Sequence, residues 1–451
     1  MSFSTYNSET IAAISTAKGN AALAIIRVSG SSTIEVVSKI SDKSIHPIAF
    51  NKIKRTNFYN NGELLDEGMV TFFQAPNSYT GEDMAELYCH GNNFIVSQIL
   101  ESLLVYCRLA NNGEFTLRRF LNKKIDLTQA EAIGDILAAD TKQTQKAALL
   151  QLKGKLYNKI RLILDKITNL RTIIELAIDF VEDEVPEYNS SFILLKIEEI
   201  LEDMNRLILT GQEGIVLRDG LKVCLVGEPN VGKSSIFNAL LSAERSIVTP
   251  IPGTTRDYIE EIVSLSGYKI RLFDTAGIRE SGDIIEKLGI ERTEKIIDEA
   301  DLILYIHDAT ALETGQFDNK ILPDCNIPVI HVLNKIDLLS DINISYAAGR
   351  ICCSALTEHG LDGLKEGILS IFQNIESEME NGIITNSRQL ACLKKANEAM
   401  LKAKAALQNE MGADFVAFDI LEASNAVEEI IGRVSSEDIL NRIFSNYCIG
   451  K

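Results

Sequence analysis

No apolar run in this chain approaches the roughly 18 residues that a membrane-spanning helix needs, so a helical span is not expected within it. The opening MSFSTYNSETIAAIS has no basic stretch ahead of its apolar residues, and a secretory signal is not expected either. Eight cysteines are scattered without a C-x-x-C pair, Cys352 and Cys353 being adjacent. That spacing excludes a paired-cysteine zinc site and fits reduced thiols in a cytoplasmic protein. Basic charge is scarce: 45 Lys and Arg stand against 63 Asp and Glu, a net charge of −18. Phosphate contacts need cations, so any RNA role requires a local basic patch or a partner's charge.

What is present is an ordinary soluble composition, 46% hydrophobic and 24% charged, in 451 residues. That length predicts about three domains. The most informative stretch is 222–235, KVCLVGEPNVGKSS. Gly227, Gly232, Lys233 and Ser234 fit the phosphate-loop pattern G-x-x-x-x-G-K-S/T. Val223, Leu225 and Val226 precede it as a buried strand, and Ile236, Phe237, Leu240 and Leu241 follow at helical spacing. A strand, a Gly-rich turn and a helix aim backbone N–H groups and the positive helix end at a phosphate chain. Residues 230–235 (Asn230, Val231, Gly232, Lys233, Ser234, Ser235) would line that chain. Lys233 is expected on the β- and γ-phosphates and Ser234 on Mg²⁺.

Three further strings follow in order. Pro252-Gly253-Thr254-Thr255-Arg256-Asp257 suits a first switch, with Thr255 the expected second Mg²⁺ ligand. IRLFDTAG at 270–277 ends a strand in D-x-x-G. Asp274 would hold Mg²⁺ through a water, the Gly277 N–H would face the γ-phosphate, and Thr275 and Ala276 would line the nucleotide. VIHVLNKID at 329–337 ends a strand in N-K-x-D. A carboxylate at Asp337 accepts from guanine N1–H and its exocyclic amine, selecting GTP over ATP, while Asn334 supports the base and the Lys335 stem packs on it. Ser354-Ala355 would present a backbone N–H to guanine O6. Together these predict a GTP-hydrolysing domain.

The residue after D-x-x-G is Ile278, which cannot orient water as a Gln does. Glu280, Asp283 and Glu286 are the nearby acids that can. Asn230 is either a turn residue after Pro229 or a ligand for a monovalent cation standing where an arginine finger would act.

Along the chain, residues 1–118 read as α/β, with strands at 21–28, 68–73 and 86–90 and a helix at 93–109. Residues 119–212 read as helical. Leu156, Ile160, Ile163, Ile167, Leu170, Ile174, Ala177 and Val181 form one apolar seam, read as bundle packing. A second helix is predicted at 190–210, with Gly211 and Gly214 marking passage into the nucleotide domain at 220–375. Residues 376–451 again read as helices, at 389–409, 414–432 and 436–445, before the tail Cys448-Ile449-Gly450-Lys451. The helical stretches on both sides predict a nucleotide domain inserted into a discontinuous helical one. The tail by itself reads equally as frayed or as functional.

The chain resembles the tRNA modification GTPases called MnmE or TrmE over nearly its whole length. Thr10-Ile11-Ala12-Ala13-Ile14, Ile26-Arg27-Val28-Ser29-Gly30, Tyr79-Thr80-Gly81-Glu82-Asp83 and Gly113-Glu114-Phe115-Thr116 look like its N-terminal signatures. Residues 126–132, DLTQAEA, look like its hinge, Gly253-Thr254-Thr255-Arg256-Asp257 resembles its first switch, and Cys448-Ile449-Gly450-Lys451 its C-terminus. It departs at Asn112 (usually Pro), Asn92 (commonly Gly) and Gln389 (usually His). The resemblance implies an N-terminal α/β tetrahydrofolate-binding and dimerisation domain, a discontinuous helical domain and an inserted Ras-like P-loop GTPase domain. It implies a homodimer that works with an FAD-dependent partner, MnmG (GidA), in a heterotetramer or larger complex. Together they add an aminomethyl or carboxymethylaminomethyl group to C5 of the wobble uridine of tRNA, the one-carbon unit coming from 5-formyl- or methylene-tetrahydrofolate. By matching position, Arg27, Glu82, Lys124 and Lys451 contact the folate, and Cys448 lies beside it as a considered nucleophile. Asn230, Thr249, Ile251 and Thr254 match the K⁺ ligands, and Glu286 the residue that orients the attacking water. A regulatory or ribosome-assembly switch without modification chemistry is the alternative, and it has no use for Arg27, Glu82, Lys124 or the tail.

Overall fold

The computed structural model describes residues 9–179, 190–243, 260–274, 297–314, 327–339, 349–372, 375–434, 436–445 and 447–451. Its contacts divide the chain into two compact units, Met1–Gly134 with Glu428–Lys451, and Asp135–Val427.

The first unit is built on a six-stranded sheet. Its strands are β1 (Ile11–Ile14), β2 (Ala21–Ser29), β3 (Ile53–Asn60), β4 (Glu63–Phe73), β5 (Met84–Gly91) and β6 (Arg108–Leu109), in the order β3-β4-β5-β2-β1-β6. Alternation decides the two faces. Ala24, Ile26 and Val28 of β2 turn into a core with Val36, Val37 and Ile40 of helix α1 (Thr33–Ile40) and Val96, Ile99 and Leu103 of α2 (Asn93–Leu104). The intervening Arg27 and Ser29 face the other way, where Arg27 meets Glu86, its register partner on β5. That face is covered in part by α3 (Glu114–Leu121), whose Phe115 packs with Ile11, Ala13 and Ala110.

The helix expected at 93–109 stops at Leu104. Residues beyond it make a better bond elsewhere: Arg108 and Leu109 pair parallel with Ile11 and Ala12. Asn92 caps the start of α2, its Oδ1 accepting from Phe94 N at 2.9 Å, as a short polar side chain at that position does.

Two shorter helices, α4 (Leu127–Ala138) and α5 (Lys142–Leu152), come next along the chain. In the second unit, α6 (Lys155–Asp179) carries the apolar seam, and Leu156, Ile160, Ile163, Ile167, Leu170 and Ile174 are all buried. Each such side chain contributes about 1.5–3 kcal/mol, which explains a packed helix. Val181 lies outside the described residues. The next helix, α7 (Ser190–Asp219), runs past the expected end near 210. Gly211 and Gly214 sit inside it and are packing positions, not a linker. A methyl on Gly214 would collide with the Ile384 carbonyl, and one on Gly211 would lie 3.1 Å from Leu390. Both glycines admit the chain that carries α11 (Ser387–Gln408), reached after α8 (Lys233–Ala243), α9 (Leu361–Leu369) and α10 (Ile375–Met379). The helices expected at 389–409, 414–432 and 436–445 are α11, α12 (Ala413–Ile431) and α13 (Glu437–Ser445).

The second unit also holds the second sheet. Strands β7 (Leu221–Gly227), β8 (Glu260–Leu265), β9 (Tyr268–Asp274), β10 (Leu302–Asp308), β11 (Val329–Asn334) and β12 (Ile351–Cys352) take the order β12-β11-β10-β7-β9-β8. All neighbours are parallel except β8 with β9. Ile236, Phe237 and Leu240 of α8 and Leu361, Leu364 and Ile368 of α9 pack in the core with Val223, Leu225, Leu304 and Val332. Loops leaving the carboxyl ends of β7, β10 and β11 are thereby gathered at one edge, where ligands of open α/β sheets bind.

Candidate functional site

At that edge the phosphate loop is held by the N-K-x-D strand. Asn334, 2% exposed, donates from Nδ2 to the Val231 carbonyl at 2.9 Å. Its Oδ1 accepts from Ala355 N at 3.1 Å. One amide thus ties the loop at 230–235 to the loop at 354–355. Gly232, at φ +98°, explains its own identity: a Cβ there would overlap the Asn334 side chain. Lys233 is buried, and its Nζ donates to the carbonyls of Gly227 (3.1 Å) and Glu228 (2.8 Å), under the loop it is expected to serve. Ser235 is exposed on the first turn of α8, and Asn230 is exposed at φ +66°.

Ser234 Oγ donates to Asp274 Oδ2 at 3.0 Å, so two residues forty apart in the chain meet. A hydroxyl and a carboxylate so placed are hard oxygen donors that suit Mg²⁺. Asp337 is exposed in the short turn Ile336–Leu338 that follows β11. Ser354 is fully buried. Its N–H donates to His359 O at 2.8 Å, and its Oγ accepts from Thr357 N. With the Ala355 N–H on Asn334, a guanine O6 would have to compete for that donor. Thr249, Ile251, Thr254, Thr255, Thr275, Ala276, Gly277 and Glu286, and the alternatives Glu280 and Asp283, lie outside the described residues.

Sequence reasoning missed Asp308. Its Oδ2 takes Lys335 Nζ at 2.6 Å, and the same ammonium donates to the Asn230 carbonyl at 2.6 Å. Burial would raise the Asp308 pKa, but hydrogen bonds from Lys335 and Thr310 bring it below the usual carboxylate value. An ionised Asp308 fixes Lys335, and Lys335 fixes the main chain of Asn230. The only signal in the sequence is an acid closing the buried strand LILYIHD.

The second candidate site lies within the first unit. Glu82 accepts from Ser29 Oγ at 2.8 Å and from Arg118 Nη1 at 3.0 and 3.3 Å. Thr80 O accepts from Asn122 Nδ2 at 2.8 Å, and Lys124 lies along Gly81, where a methyl would come 3.3 Å from its Cε. Arg27 lies 5.2 Å from the Tyr79 ring. Arg27, Glu82 and Lys124 are therefore grouped around the loop at 79–82.

Arg118 and Glu114 were not singled out from the sequence. Both are buried and paired at 2.9 Å, with Arg108 on the other side of Glu114 at 2.7 Å. Burial pushes the Glu114 carboxyl up, yet Arg108, the Asn111 N–H and Arg118 hold it below its ordinary value. The available signal was the i, i+4 spacing of Glu114 and Arg118 on one helix.

The tail is docked, not frayed. Gly113 N donates to Cys448 O at 3.4 Å, Phe115 N to Lys451 O at 3.2 Å and Ser15 Oγ to Gly450 O at 3.1 Å. Tyr447 Oη donates to Ala130 O at 2.6 Å, and Asn112 Nδ2 to Ser445 O at 3.0 Å. Lys451 O thus rests on the residue next to Thr116, whose hydroxyl is 3.0 Å from Tyr79 Oη. The Cys448 thiol is exposed and forms no disulfide.

The chain matches known proteins over nearly its whole length. The family described as the MnmE helical domain matches residues 127–448, and that described as the GTP-binding protein TrmE N-terminus matches 10–124. The chain is 40% identical to the tRNA modification GTPase MnmE of Aquifex aeolicus (strain VF5), covering 98% of this chain and all of that protein. It is 39% identical to the protein of the same name from Clostridioides difficile (strain 630), over 98% of this chain and 99% of that one. Among solved structures, the G domain of the T. maritima FeoB iron transporter aligns with 34% of the chain and 99% of its own length, at 30% identity and TM-score 0.24. Among the described residues no helix is long and apolar enough to cross a membrane. With two family models covering most of its length and full-length relatives near 40% identity, the chain belongs to the MnmE family of tRNA modification GTPases.

Proposed function

We propose that this protein hydrolyses GTP and, with an FAD-dependent partner of the MnmG (GidA) type, adds an aminomethyl or carboxymethylaminomethyl group to C5 of the wobble uridine of tRNA in the cytoplasm. When bound, tetrahydrofolate supplies the one-carbon unit. The observation that carries this reading, over a switch without modification chemistry, is the docked tail: Cys448 and Lys451 are anchored by main-chain bonds to the segment 113–115, in the unit that groups Arg27, Glu82 and Lys124. Cationic side chains there suit the folate carboxylates. The Glu82 carboxylate, oriented by Ser29 and Arg118, suits the pterin donors.

In the nucleotide unit, Lys233 neutralises phosphate charge, and Ser234 and Thr255 would hold Mg²⁺, with Asp274 reaching it through a water. Asp337 reads guanine. Glu286 orients the water, and Asn230, Thr249, Ile251 and Thr254 hold K⁺ when two nucleotide domains meet. The protein acts as a homodimer through its N-terminal domains. Mass spectrometry of wobble nucleosides in tRNA from cells lacking the protein tests this: the C5 substituent should disappear, and unchanged nucleosides reject the reading.

A further inference from the structure

Most of the arginines around the loop at 79–82 are paired off within the protein, while Lys124, beside Gly81, is in no ion pair among the described residues. Arg27 is bound to Glu86, Arg108 to Glu9 and Glu114, and Arg118 to Glu82 and Glu114. Arg119 stands apart. Its guanidinium carbon is 4.6 Å from the Tyr79 ring centre, within cation–π range. Its Nε is buried without a hydrogen-bond partner, and among the described residues no carboxylate pairs with it. The ring explains where the group is held but satisfies none of its five donors. An aromatic platform that fixes a guanidinium while leaving its fork unengaged is an arrangement for a planar anion. The Tyr79 hydroxyl is in turn fixed by Thr116 at 3.0 Å, so the platform itself is rigidly placed.

We propose that Arg119 is a specificity-determining residue of the folate site, its guanidinium binding a carboxylate of the glutamate moiety. This rests on the folate reading above. Two cationic groups share one ring, Arg27 at 5.2 Å and Arg119 at 4.6 Å. Arg27 is largely neutralised by Glu86, so of the two cations on this ring Arg119 is the one left uncompensated. Glu82 sits on the same loop as Tyr79 and presents the acceptor that a pterin requires. The loop therefore offers an acceptor for the heterocycle at one end and a cation for the carboxylates at the other.

Calorimetry on the full chain tests the assignment with two ligands, 5-formyl-tetrahydrofolate and a reduced pterin lacking the glutamate. Arg119→Ala should weaken the folate at least about tenfold, the equivalent of one charge-assisted hydrogen bond, and leave pterin affinity unchanged. Unaltered folate affinity overturns the proposal. So does an equal loss for both ligands, which would mean that Arg119 only holds Tyr79 in place. If the unaltered protein binds no folate at all, the folate reading itself fails and takes the role of Arg119 with it. If inorganic phosphate competes with the folate as well as free glutamate does, the group is a general anion site and the carboxylate assignment is overturned.

Discussion

Replacing Asn334 by Asp should damage nucleotide binding at least as much as replacing it by Ala, although Asp is closer in shape. Asn334 is 2% exposed and makes two opposite contacts, donating to Val231 O at 2.9 Å and accepting from Ala355 N at 3.1 Å. Alanine removes both. Aspartate keeps the acceptor for Ala355 but sets a carboxylate oxygen against the Val231 carbonyl. A buried group left without its partner costs about 1–3 kcal/mol, and here the group is the carbonyl that shapes the phosphate loop. If that cost falls on the binding-competent loop, affinity drops about 5–150-fold at 1.4 kcal/mol per decade. Titration with a fluorescent guanine nucleotide, with thermal unfolding run in parallel, separates loss of affinity from loss of fold. An N334D variant that binds within about threefold of the original, well under the tenfold worth 1.4 kcal/mol, would show that the Val231 contact does not organise the loop.

Other expectations follow from single groups. D337N should weaken GTP and gain affinity for xanthosine triphosphate, since one carboxylate accepts two bonds worth roughly 1.5–3 kcal/mol each; unchanged GTP affinity rejects Asp337 as the selector. GTP turnover should be much faster in K⁺ than in Na⁺, with N230A removing most of the difference, because an arginine finger's place is worth roughly 10³–10⁵ in rate; equal rates at matched ionic strength sink the cation role. Burial, with His331 and Arg350 nearby, lowers His307 from 6.5 to about 4. A depressed folded-state pKa means its contribution to stability is complete above about pH 6.5 and is lost as pH falls toward about 4; H307Q should flatten acid destabilisation in that window, and an unchanged acid profile refutes it.

Chemistry that is local in the chain is legible in the sequence alone. Gly232, Lys233 and Ser234 are consecutive, and the requirement that makes each of them necessary acts on the same phosphate chain. Asp274, Asn334 and Asp337 stand at or just past the ends of short apolar strands, so the D-x-x-G and N-K-x-D strings already announce their place. Asp308 also closes a strand, but its reason is Lys335, beyond the next one, and no local pattern exposes that pairing. Gly211 and Gly214 were read as a linker because glycine usually breaks a helix. Their cause is the segment near Ile384, which packs where a side chain would stand. Arg118 was passed over for the same reason, since its partner Glu82 lies on a loop remote in sequence. The first unit's candidate site depends on such pairings more than the nucleotide edge does.

The tail allows position and chemistry to be separated. Its docking uses main-chain oxygens of Cys448, Gly450 and Lys451, and the side chains of Cys448 and Lys451 contribute none of those bonds. Docking alone therefore does not require a thiol or an amine at either position. It does require Gly450, which has φ +94° and whose Cβ would strike the Ile14 carbonyl. G450A should therefore undock the tail, seen as faster release of Lys451 by a carboxypeptidase, and should weaken folate binding as a consequence. C448S should leave release unchanged while abolishing any reactivity that belongs to the thiol. If C448S frees the tail as readily as G450A does, the main-chain bonds are not what holds it, and the identity of residue 448 would be explained by packing and not by chemistry.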